Sequence, residues 1–71
     1  MNRTATDPLT SLANQAIRLV GRGSLAERER FEDAHGAPLS NLLDTLAYDA
    51  AEAGNEALAA RLDRAYTRLT A

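Results

Sequence analysis

Residues 38–71, PLSNLLDTLAYDAAEAGNEALAARLDRAYTRLTA, decide the fold. Leu39, Leu42, Leu43, Leu46, Ala50 and Ala53 recur at the spacing of one face of a helix. The helix opens at Pro38, which a first turn tolerates, and stops at Gly54. After Asn55, a residue type that favours N-caps, Leu58, Leu62, Ala65 and Leu69 alternate steps of four and three, with Tyr66 beside them. Leu39, Leu43, Leu46 and Ala50 show the same alternation. Two such seams across so short a turn predict an antiparallel αα-hairpin, closely packed because Ala50, Ala53, Ala57 and Ala65 keep the helix surfaces small.

Upstream, the punctuation at Pro8, at Gly21 to Gly23 and at His35 to Pro38 leaves room for two more helices. In the first, Asp7 is the expected N-cap and Pro8 the first helical residue, and Leu9, Leu12, Ala13, Ala16, Ile17 and Val20 share a face. Gly21 and Gly23 are expected to end it through the left-handed conformation open to glycine. Ser24 and Glu27 have the spacing of a capping box, so a second helix begins there. Its interior is strongly charged. Only Leu25, Phe31 and Ala34 are candidates for burial, and Phe31 is expected to be its main tie to the core. The expectation is a single all-α domain, a small bundle of three or four helices ending in the αα-hairpin, with residues 1–6 disordered before it.

Composition supports this and removes several classes of function. Ala and Leu dominate the apolar residues while Ile and Val appear once each, a helix-forming rather than strand-forming choice. There is no Cys and one His, so neither a disulfide framework nor a thiolate or histidine zinc site can be assembled, and no cofactor or metal is expected. No apolar stretch approaches a secretory or membrane-spanning segment, which points to the cytoplasm and away from a membrane. Arginine as the only cation beside abundant alanine is a compositional hint of a GC-rich bacterial or phage genome. A chain of 71 residues buries only roughly 60% of its unfolded surface. A core of that size leaves about 3 to 5 kcal/mol, so self-association is an expected stabiliser. A homodimer would cover part of the leucine stripes, and Leu42, Leu58, Leu62 and Leu69 are the candidates.

Few residues suggest chemistry. His35, Asp33 and either Ser24 or Ser40 provide the residue types of a nucleophile, base and orienting group, but neither serine lies in a nucleophile elbow. His35 fits a simpler role near a helix C-terminus, and no enzymatic function is expected. Asp44, Asp49, Glu52 and Glu56 lie along polar faces rather than converging in a pocket. Tyr48, flanked by Asp44 and Glu52, stands among acids on the side opposite the leucine stripe and is a candidate contact for a basic partner. Arg61, Arg64 and Arg68 form a basic stripe on the last helix, suited to phosphate or a partner's carboxylates, to acids across the bundle, or to solvent.

A helix-turn-helix DNA binder is the main rival, since Gly21 and Ser24 join two helices near Arg18, Arg22, Arg28 and Arg30. Against it, positions that such a motif packs inward hold Arg22, Glu27 and Arg30, and the would-be recognition helix carries four acids. The formal charge of −2 likewise disfavours nonspecific nucleic-acid binding. The expected function is that of a small protein-binding module: a self-associating adaptor, or an accessory or inhibitory protein of the kind phages and mobile elements encode, using an acidic patch to occupy a basic site on another protein.

Overall fold

The computed structural model describes residues 8–71, and the expectations for residues 1–6 and for Asp7 as an N-cap fall outside them. The described residues form four helices: α1 (Pro8–Arg22), α2 (Leu25–His35), α3 (Leu39–Glu52) and α4 (Glu56–Thr70). The chain is an all-α bundle, with no strand among the described residues.

The core is built by three of the four helices. Ala13 and Ala16 come from α1, Leu39, Leu43, Leu46 and Ala50 from α3, and Leu58, Leu62 and Ala65 from α4. The αα-hairpin of α3 and α4 is the most extensive pairing, and α1 lies against both its members. Alanine is the buried residue of α1, so its backbone approaches the hairpin closely, while Leu9, Leu12, Ile17, Leu19 and Val20 close the margins. Leu39, Leu43 and Leu62 are the largest fully enclosed side chains. Each contributes about 1.5 to 3 kcal/mol by leaving water.

Helix α2 contributes no buried residue. Leu25, expected to be buried, is 69% exposed, and Ala34 is exposed as well. Phe31 is half-buried against the core, with its ring tilted over that of His35 at 4.5 Å between centroids. The charged composition of α2 explains the correction: without an apolar stripe, the helix can lie only at the edge of the bundle.

The connections follow the sequence with one exception. Ser24 and Glu27 form both hydrogen bonds of the capping box, Ser24 N–H to Glu27 Oε1 at 2.9 Å and Glu27 N–H to Ser24 Oγ at 3.1 Å. Gly36 ends α2 in the left-handed region at φ 68°, where its N–H reaches the Glu32 carbonyl at 2.7 Å. Gly54 does the same work between α3 and α4 at φ 81°, and Asn55 Oδ1 then accepts from Leu58 N–H at 3.2 Å. The exception is the end of α1. Neither Gly21 nor Gly23 is left-handed, and Gly21 lies inside the helix. Gly23 is required for space instead, because a Cβ there would stand 2.6 Å from Leu19 Cδ2 and 2.9 Å from the Leu19 carbonyl oxygen.

Pro38 occupies the N-cap of α3 and has no side chain with which to cap it. The acceptor arrives from the preceding helix: Glu32 Oε2 takes the Leu39 N–H at 2.6 Å. A carboxylate at a helix N-terminus meets both an orphan donor and the positive end of the dipole, so this one contact fastens α2 to α3.

Candidate functional site

Tyr48 lies on the outer side of α3 and is 66% exposed, although its ring is among the largest apolar surfaces the chain could have covered. Asp44 precedes it by one turn on the same side. Across the α3–α4 seam, Ala59, Ala60 and Asp63 complete a shallow hollow of about 360 Å³ whose α3 wall is Asp44, Ala47, Tyr48 and Ala51. Alanines form the floor because the two helices of the hairpin pack closely there. The result is one aromatic ring and two carboxylates around an apolar base.

Glu52 is exposed at the last position of α3 and does not line this hollow. Asp63 takes the place expected for it. Asp63 is not legible beside Tyr48 in the sequence, because the face is assembled from two helices and Asp44 and Glu52 lie on one of them. The signal was present: Ala59 and Asp63 stand one turn apart on the flank of α4 that borders α3.

Arg61, Arg64 and Arg68 are exposed and converge with Ile17, Val20 and Ala65 on a second hollow of about 230 Å³ between α1 and α4. Among the described residues none of these guanidinium groups forms an ion pair. The pairing with acids across the bundle, one of the readings open to the sequence, therefore does not occur there.

The leucines expected at a dimer contact divide into two pairs. Leu58 and Leu62 are 4% and 0% exposed within the single chain, so the surface assigned to a second copy is already covered by α1 and α3. This corrects the expectation for both, and its reason is α1, which packs on the hairpin and closes the stripe from inside the chain. Leu42 and Leu69 are half-buried, the latter packed against the core.

Ser24 and His35 flank the ends of an eleven-residue helix, about 16 Å apart along its axis, and the Ser24 hydroxyl accepts the capping hydrogen bond. Ser40 is half-buried in the first turn of α3. Among the described residues no group of three or more His, Asp or Glu side chains is placed to hold a metal ion. No helix there is long and apolar enough to cross a membrane. In α2 the capping box lowers the Glu27 carboxyl below its ordinary range, first through the Ser24 backbone N–H, then through the Ser24 hydroxyl, with a further pull from Arg30.

Compared with known proteins, the chain matches no family model, no curated protein and no solved structure.

Proposed function

We propose that this chain is a small non-enzymatic module that binds another protein through the α3–α4 face centred on Tyr48. The observation that carries this reading is the exposed Tyr48 ring, held beside Asp44 and Asp63 over an alanine floor. Tyrosine offers a large, stiff contact area at low entropic cost, and is enriched among the residues that dominate binding. The paired carboxylates select a partner segment bearing Arg or Lys and steer its approach. In an inhibitory protein the same face would occupy a basic site on its target; in an adaptor it would hold a basic helix.

The test is a titration of the isotope-labelled protein with a synthetic amphipathic helical peptide of Ala, Leu and Arg, followed by amide chemical shifts. Shifts confined to Asp44, Tyr48, Ala59, Asp63 and their neighbours are expected, and Tyr48→Ala should weaken binding about tenfold while leaving helix content unchanged. Shifts elsewhere, or none at millimolar peptide, would overturn the reading. The DNA-binding alternative rests on the short Gly23–Ser24 link between α1 and α2. Mixed duplex DNA at low salt is expected to leave fluorescence anisotropy unchanged, whereas salt-sensitive binding would favour that alternative.

A further inference from the structure

Helix α4 carries the two hollows on opposite flanks. Leu58, Leu62, Ala65 and Leu69 mark its inward line. At 100° per residue, Arg61, Arg64 and Arg68 lie about 70° to 130° to one side of that line, while Ala59 and Asp63 lie about 90° to 130° to the other. The first flank opens toward α1 and holds three guanidinium groups around Ile17, Val20 and Ala65. The second opens toward α3 and holds two carboxylates and the Tyr48 ring around alanines. The two are complementary in charge and both have an apolar floor, and neither set neutralises the other within the chain, since none of these five charged side chains forms an ion pair among the described residues.

From this complementarity we infer that a second copy of the chain is a partner of the Tyr48 face: the arginine hollow of one copy docks on the acidic hollow of the next, head to tail. The inference rests on the reading of the Tyr48 face as a protein-binding surface and names its occupant. Guanidinium groups suit carboxylates in forked hydrogen bonds and can stack on the tyrosine ring, so Asp44, Asp63 and Tyr48 each find a matching group. Although Asp63 also borders a hollow with Arg64 and Arg68, the arginine hollow opens toward α1 and the acidic hollow toward α3, so docking one on the other uses a different surface of each copy. The association is therefore heterologous and adds copies in a row rather than closing as a pair. Its bonds are exposed ion pairs, individually weak and screened by salt, so assembly is concentration-dependent and confined to low ionic strength.

Light scattering after size exclusion tests this. For the wild-type chain at about 0.02 M salt the average mass should climb from the 7.6 kDa of one copy past that of two as concentration rises about a hundredfold, and return to one copy at about 0.5 M salt. Two variants then isolate the surfaces, Asp44→Asn/Asp63→Asn on one side and Arg61→Gln/Arg64→Gln/Arg68→Gln on the other. Each alone should remain a single copy with helix content intact, and their mixture should form a one-to-one pair that grows no further. A wild-type mass of one copy at every concentration in low salt, a plateau at two copies that salt does not dissolve, or assembly of either variant alone would overturn the inference. Should a variant fail to fold, the wild-type salt series decides by itself. A wild-type chain that stays single while the basic peptide still maps to Tyr48 would remove the head-to-tail contact and leave the protein-binding reading in place.

Discussion

Gly21 and Gly23 stand two positions apart, and a methyl group added to each meets different surroundings. At Gly21, inside α1, a Cβ has nothing within 4 Å, so Gly21→Ala should stabilise the protein by about 0.5 to 1 kcal/mol through the lower backbone entropy of the unfolded chain. At Gly23 the same methyl collides with the Leu19 side chain and backbone, and Gly23→Ala should cost about 1 to 3 kcal/mol. Thermal unfolding checks both, since about 1 kcal/mol moves the midpoint of so small a domain by roughly 4 to 8 °C. Glu27 gives a residue-scale test in pH. Its carboxyl is lowered in the folded protein, so the stability it contributes is present above its unfolded value and is lost as the pH falls through the folded one. A side-chain NMR titration should place its midpoint below that of glutamate in an unstructured peptide, and Ser24→Ala should bring it only part of the way back, because the backbone N–H at position 24 still donates to the carboxylate.

At the scale of the element, α2 is held by contacts unlike those of its neighbours. Glu32 is half-buried and supplies a side-chain acceptor at the start of α3, whose own N-cap residue is Pro38. Glu32→Ala leaves the Leu39 N–H without that partner and should cost about 1 to 2 kcal/mol. Hydrogen exchange should rise throughout α2 and in the first turn of α3, with the second half of α4 unaffected; uniform acceleration across the chain would contradict this. The same contrast explains what was legible in the sequence. Helices α1, α3 and α4 announce themselves by apolar periodicity and by their punctuation, and Ser24 and Glu27 mark the start of α2. The position of α2 was not legible, because a polar contact seven residues long fixes it and no periodicity records such a contact. Pro38 held the missing hint, since a helix that begins on proline needs an acceptor from elsewhere. Tyr48 and Asp44 could be read from one helix, while Asp63 needed the partner helix and its register. A leucine stripe is visible in sequence, but whether it is covered by another helix or by another chain depends on where α1 lies.

For the whole molecule, stability is concentrated in a small set of side chains. Leu43, fully enclosed between the helices, should cost about 2 to 5 kcal/mol when replaced by alanine. That loss is comparable to the entire margin of a domain this size, so Leu43→Ala should be largely unfolded near body temperature by circular dichroism, and a cooperative transition well above it would show a larger reserve than this core can supply. The edge position of α2 has a different outcome. An element with no buried residue opens far more often than the helices that share the core, and α2 carries Arg28 and Arg30. Trypsin at low dose should therefore make its first cut in the native chain after one of those two arginines, well before any cut at Arg61, Arg64 or Arg68, even though all three of these are exposed on the surface of α4.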